Sequence, residues 1–371
     1  MTTAPYTVGT GVPGPGSFSG GTVGLDLTLT GDNKPTYETY GCKVPNVDPI
    51  NTPDWERATV YFERKVFTDG LMKMPDGKTV PFWGFEDTIK GKDKKLFPSP
   101  LIRLQQGQLA HVKMETRKGA HTIHHHGIEP TTMNDGVGHV SFETSGNYVY
   151  QWQPRHAGTW FYHCHVNTVL HFEMGLYGLL IVDPPEGWGI PYAGGIKHKY
   201  DVETSWVFDD MDPRWHTLNQ AAGLCGEDVG LNIFKPKYFL VNGVSKPVNG
   251  KFAAPVAITA RQGQKVLIRL LNASYSVLGV RLKTLDSEII SVDGHALASP
   301  ERPWSSVKPV AKDTEILLNS AMRHDMWLDL TGVPKGEHKI EFRYYDWITK
   351  DVHNKGQGVY EGYAETTLNV T

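Results

Sequence analysis

Of the sixteen histidines in this 371-residue chain, seven fall in two clusters. The first is His121-Thr-Ile-His124-His125-His126-Gly127. The second is Gly158-Thr-Trp-Phe-Tyr-His163-Cys164-His165, with His171 close behind. Imidazoles and a thiolate are transition-metal ligands, and both clusters sit among runs that alternate as strands do. On a strand, residues two apart share a face. His124 and His126 therefore point one way and His125 the other, while His163 and His165 share a face that Cys164 opposes. Two His-x-His pairs on neighbouring strands present four imidazoles to one place. Cys164 faces a different site, with His121 and His171 close enough to join it. A thiolate with two imidazoles and a weak or absent axial donor suits copper, whereas zinc asks for a fourth firm ligand or an open water position. A lone buried histidine is usually structural. Seven with a cysteine at these spacings point to ligation.

Those clusters need strands to hold them, and the rest of the chain supplies strand text. Gly 39 and Pro 24 favour turns and strands over long helices. Residues 1–55 are rich in Gly, Pro and Thr and read as an extended N-terminal arm. From 56 to 185 short β-branched and aromatic runs recur, among them ATVYFERKVF, LIRLQQGQLAHVKME and GLYGLLIVDPP. A less regular connector covers 186–235, with DPRWHTLNQAAG readable as a short helix. A second strand series fills 236–371, including YFLVNG, QKVLIRLLN and HKIEFRYYD. The expectation is an all-β chain of two tandem Greek-key β-sandwiches. A net charge of −3 gives no reason to expect nucleic acid as a partner, and no apolar run is long enough to predict a membrane span.

The motifs resemble those of the multicopper oxidases and their two-domain, laccase-like relatives, and more distantly the copper nitrite reductases. His121-x-x-His124-x-His126-Gly127 is similar to the family's H-P-x-H-L-H-G. His163-Cys164-His165, His171 and Gly175-Leu176 are similar to its H-C-H-x-x-x-H-x-x-x-G-[LM]. YFLVNG, VLIRLLNAS and ISVDG resemble a family cupredoxin domain without type 1 copper. The resemblance implies cupredoxin-like sandwiches, with type 1 copper at His121, Cys164 and His171. It places His124 at a type 2 site and His126, His163 and His165 at a type 3 pair. It also implies electrons from a small-molecule or metal-ion reductant, or from an electron-transfer protein, and dioxygen or another small acceptor at the second site. Asp135 and Glu173 are the nearby carboxylates for proton supply. The axial position falls on Leu176 by motif spacing, with the Met174 thioether as the rival.

Two departures from the family pattern shape the remaining expectations. His171 comes seven positions after Cys164, where the family commonly has a step of five. The second sandwich carries neither His-x-His nor His-Cys-His, so one chain offers four of the eight histidines that a trinuclear cluster takes. A homo-oligomer, preferably a trimer, would complete the site, with His353 as the donor from a neighbouring copy and His295 in reserve. A nitrite-reductase-like enzyme and a blue-copper carrier without oxidase activity are the other readings. Proteins of this type resemble exported ones, which implies a periplasmic or secreted location, a removed signal peptide and a Cys42–Cys225 disulfide.

Overall fold

The computed structural model describes residues 58–371 except 90–94, 117, 139, 140 and 142. The expected arm over 1–55 lies outside the described residues, and so does Cys42. Eight strands build the first sandwich: β1 (Val60–Lys73), β2 (Thr79–Glu86), β3 (Ser99–Gln105), β4 (Ala110–Glu115), β5 (His124–His126), β6 (Asn147–Trp152), β7 (Gly158–His163) and β8 (Tyr177–Asp183). They form two four-stranded sheets, ordered β2-β1-β4-β6 and β3-β8-β7-β5. Two short helices interrupt them, α1 (Thr132–Asp135) and α2 (Thr168–Glu173).

The β-rich reading holds because the hydrophobic text has the period of strands buried on one or both faces. All six residues of β7, GTWFYH, are buried, and β8 is buried through its first six. From β7, Trp160 and Tyr162, and just beyond it Cys164, enter the core of the first sandwich. Phe161 leaves by the other face and joins Leu179 and Ile181 of β8, together with Val207 and Leu271 from the second half of the chain. A sheet covered on both sides reads as a near-continuous apolar run rather than an alternating one.

The second sandwich begins earlier than the sequence suggests. Within the stretch expected to be a connector lies β9 (Val202–Met211), which pairs antiparallel with β10 (Tyr238–Val241) and parallel with β13 (Lys265–Asn272). Its pattern is partly hidden by Asp209 and Asp210, which are buried charges at positions where apolar residues would advertise a strand. Trp206 and Phe208 face the second core while Val207 faces the first. The remaining strands are β11 (Val244–Ser245), β12 (Ile258–Ala260), β14 (Val277–Leu282), β15 (Ser287–Val292), β16 (His295–Ala296), β17 (Lys308–Val310), β18 (Glu315–Leu318), β19 (Arg323–Asp329), β20 (Gly336–Tyr345) and β21 (Tyr363–Val370). One sheet runs β11-β10-β9-β13-β19-β15-β16 with β17 on β15, and the other β12-β21-β20-β14-β18. In the stretch DPRWHTLNQAAG a single 3₁₀ turn forms at Trp215–Thr217.

The two sandwiches meet along β7, where a chain of half-buried and buried charges crosses the boundary. Arg103 of β3 binds Asp183 (2.7 Å) and Glu203 (2.9 Å); Glu203 binds Arg269 (2.6 Å). Arg269 donates to Thr159 Oγ1 of β7 (3.0 Å) and lies 3.4 Å from Asp325, which accepts the Thr159 hydroxyl. Beside it, Trp160 is clasped by two glycines. A Cβ on Gly127 or Gly294, both at positive φ, would lie 2.6 Å from its ring. These contacts fix the register of β7, the strand that leads into Cys164.

Arg269 is fully buried, so Arg269→Met is expected to strand Asp325, leave Glu203 with Arg103 alone and destabilise the chain by about 3–5 kcal/mol. Lys283→Met, at an exposed pair with Asp313, is expected to stay within about 1 kcal/mol of the parent. Denaturation midpoints of the two variants check this, and equal effects would remove the buried chain as a special case.

Candidate metal centres

The antiparallel register of β5 and β7 sets His124 opposite His163, His125 opposite Tyr162 and His126 opposite Phe161. Cys164 continues the ladder, its N–H donating to the Leu176 carbonyl (2.9 Å). The alternation predicted from the sequence therefore appears as two donor groups on opposite faces of one strand.

The first group is His121, Cys164 and His171, all buried. The Sγ of Cys164 lies 3.5 Å from His121 Nδ1 and 3.4 Å from His171 Nδ1. Three donors each about 2.0–2.3 Å from one ion require spacings of this size. A backbone bridge between His121 and Thr144 holds the first imidazole. His171, on α2, donates its Nε2–H to the Gln220 carbonyl (3.0 Å) and packs edge-on against Trp83. That hydrogen bond fixes the tautomer and leaves the Nδ1 lone pair facing the sulfur. Burial pushes the Cys164 thiol up to about 12 and His171 down to about 4. A bound cation is what would make the thiolate there, and the neutral imidazoles are already in the ligating form.

The second group is His124, His126 and His163, one ligand atom from each lying within 4.8 Å of the others. His124 donates Nδ1–H to the Asp135 carbonyl (2.7 Å) and His163 donates Nδ1–H to the Cys164 carbonyl (2.8 Å). Each bond leaves Nε2 free to ligate. His126 Nδ1 faces His163 Nε2 across 3.3 Å, and its ring stacks on Phe161. The His165 ring packs against those of His124 and His163, with its backbone N–H held by Thr122 Oγ1. These imidazoles line an open cavity of about 260 Å³ with Phe172 and Tyr275.

Other expected residues land in different places. Asp135 reaches His124, with its carboxylate 3.4 Å from Nδ1. Glu173 is buried and does not line the histidine cavity; Phe172 and Tyr275 do. It accepts from the Asp212 N–H (2.7 Å) and lies 3.4 Å from His216 Nε2. Desolvation and the neighbouring Asp210 hold its carboxyl well above the ordinary range. Met174 and Leu176 are both buried in the cluster that contains Cys164. His353 packs beside Phe239 in the second sandwich and belongs to neither donor group, and His295 lies against Trp160 and His156 instead. Cys225 is exposed. Asn167 and the Gln220 carbonyl, which seat His171, had no signal in the sequence, because a backbone acceptor 49 residues away has no residue type to betray it.

Glu173, Asp209 and Asp210 form a buried acidic group, in which burial and the Glu173 charge raise the Asp209 carboxyl well above its ordinary range. A raised folded-state value means stability present at low pH and lost as pH rises through that value. Asp209→Asn cannot ionise, so it is expected to raise the melting temperature at pH 8 and to lose that advantage only as pH falls to the ordinary carboxyl range, about 4. A gain independent of pH would contradict the linkage.

Residues 72–187 match the family model described as multicopper oxidase. L-ascorbate oxidase of Cucumis sativus is 33% identical over 198 residues, covering 50% of this chain and 30% of its own length. The copper-containing nitrite reductase of Neisseria meningitidis serogroup A is 26% identical over 254 residues, 66% of this chain and 59% of its own. The chain thus spans less than two thirds of either relative. In fold it is similar to the crystal structure of a blue copper oxidase from Nitrosomonas europaea, with a TM-score of 0.62 at 22% identity, covering 84% of this chain and 86% of that one. The likeness in fold runs over both sandwiches, and the match to the multicopper oxidase family lies at residues 72–187, where both donor groups sit.

Proposed function

We propose that this chain is a copper-dependent oxidoreductase that accepts electrons one at a time at His121, Cys164 and His171 and passes them to a second copper site built on His124, His126, His163 and His165. One observation carries the reading: two donor groups flank a single strand, joined by the hydrogen bond from His163 to the Cys164 carbonyl. Copper, when bound, supplies the one-electron couple and the site at which dioxygen is reduced. The chain's own residues bury His121, His126, His163 and His171 so that their charged forms are disfavoured, turn the correct nitrogens inward and keep the thiolate away from water. Asp135, beside His124 at the exposed end, is the proposed proton carrier. Glu173 fits that role less well behind Phe172 and Tyr275. Leu176 is the proposed axial residue. Its backbone pairs directly with Cys164, which puts both side chains on one face.

The open histidine cavity and the count of four imidazoles favour completion by another copy of the chain, in a trimer with His353 as donor. The nitrite-reductase-like reading is supported by the Neisseria relative, whose similarity extends over 66% of the chain. A periplasmic or secreted location belongs to the same proposal, as does a division into a copper-binding sandwich over 56–185, a connector from 186 and a second sandwich that takes in β9 and runs to 371. Among the described residues, no helix is long and apolar enough to cross a membrane.

After copper loading, the protein is expected to show an intense visible band that Cys164→Ser abolishes while non-blue copper remains. His124→Ala with His126→Ala should do the reverse, removing non-blue copper and oxygen uptake and sparing the band. Copper content and electron paramagnetic resonance read both, and a band surviving Cys164→Ser would refute the assignment. Nitrite consumption in place of oxygen uptake would move the conclusion to the second reading. Sedimentation analysis is expected to give a trimer, and His353→Ala to lower the non-blue copper content. A monodisperse monomer holding both kinds of copper would exclude the shared site.

A further inference from the structure

Both outer edges of the first donor triangle are closed, and one backbone carbonyl does much of the closing. Gln220 O receives the Nε2–H of His171 (3.0 Å) and the side-chain amide of Asn167 (3.2 Å); the same amide also donates to Ala222 O (2.8 Å). Asn167 precedes α2 at φ 44, ψ 54, a left-handed conformation that Asn tolerates better than most residues. Its carbonyl accepts the His171 N–H (2.9 Å), so one residue is tied both to the ligand helix and to the segment above it. The Gln220 side chain lies over Gly119, where a Cβ would meet its Nε2 at 2.1 Å.

Residues 219–225 are also ordered from within. Asn219 accepts from Ala221 and Ala222 N–H groups, and the Glu227 carboxylate accepts from those of Gly223 and Cys225. Trp215 and Ala222 are buried in the first core, with Leu218, Leu231 and Phe234 packed against it. The segment is anchored at both ends and latched in the middle. Beneath it His171 is 1% exposed and His121 0%, so neither imidazole edge is available to a molecule in solution.

We propose that residues 219–225, latched by Asn167, form a lid that denies small aromatic reductants contact with the His171 edge, so that electrons come from outer-sphere donors through the Gln220 peptide. This deepens the copper reading above and rests on it. The donor class is a one-electron reductant that reacts at a distance, such as a small redox protein or a substitution-inert metal complex. Each event oxidises the donor by one electron and reduces the site by one, with no bond or proton exchanged between them. Asn167 acts through Gln220 and is a positioning residue.

The test uses the copper-loaded full chain and two variants: Asn167→Gly, which keeps the left-handed backbone, and Asn167→Asp, which keeps the shape but cannot donate to carbonyls. Anaerobic stopped-flow follows bleaching of the blue band by hydroquinone, the contact probe, and by hexaammineruthenium(II), the outer-sphere probe. Amide hydrogen exchange of residues 219–225 is measured on copper-free and copper-loaded protein. Loss of the two Asn167 bonds is expected to speed exchange there and to raise the hydroquinone rate about tenfold, with the ruthenium rate within about twofold. Asn167→Asp is expected to move in the same direction, so a folding failure of either variant leaves the other to decide. Faster exchange with an unchanged ratio of the two rates would overturn the lid. Copper-loaded parent protein with no blue band would instead overturn the copper reading beneath it.

Discussion

The period of two along a single strand is the constraint on which the rest of this molecule depends. Because β7 is extended through His163, residues 163 and 165 face one way and Cys164 the other, and the two donor groups are separated by little more than one backbone. No other element could place a thiolate and its two imidazole neighbours so close while keeping them in distinct surroundings. A slip of one residue against β5 would exchange the faces, turning Tyr162 out of the core and His163 into it.

That register is enforced from outside the site. Below it, Thr159 is held by Arg269 and Asp325 of the second sandwich, and Trp160 is seated between Gly127 and Gly294. On the outer face Phe161, Leu179 and Ile181 pack against Val207 and Leu271. Each fully buried apolar side chain of this kind contributes about 1.5–3 kcal/mol. The second sandwich lacks the metal motifs, yet it supplies the wall against which the metal-bearing strand is clamped. Its role in the described chain is to make β7 a strand buried on both faces.

The site itself works against stability. His121, Cys164 and His171 are polar groups in a dry core, and in His125 both ring nitrogens are buried without a hydrogen-bond partner among the described residues. Unsatisfied buried groups of this kind each cost about 1–3 kcal/mol. Glu173, Asp209 and Asp210 add buried carboxyls whose charges desolvation disfavours. A core assembled for stability alone would hold apolar residues here, and the aromatic packing around the strand offsets what the donors forfeit.

The ligand pattern and the strand-rich character were legible in the sequence, since both depend on spacing along the chain. His-x-His and His-Cys-His at period two fix which side chains share a face, whatever the fold around them. The strand β8 was likewise visible in GLYGLLIV, though not its burial on both faces. What could not be read were the facts that join distant segments. Asp209 and Asp210 masked β9, because two buried carboxylates look like a loop until Ser276 and the backbone of Tyr275 and Ser276 are seen to satisfy one of them. Glu173 was expected near the histidines as a proton supplier and lies buried off their cavity, since α2 turns it inward beside His216. The seat of His171 on the Gln220 carbonyl was invisible because every residue carries that group. Local periodicity determined the chemistry on offer here; long-range packing alone decided which of those groups water can reach.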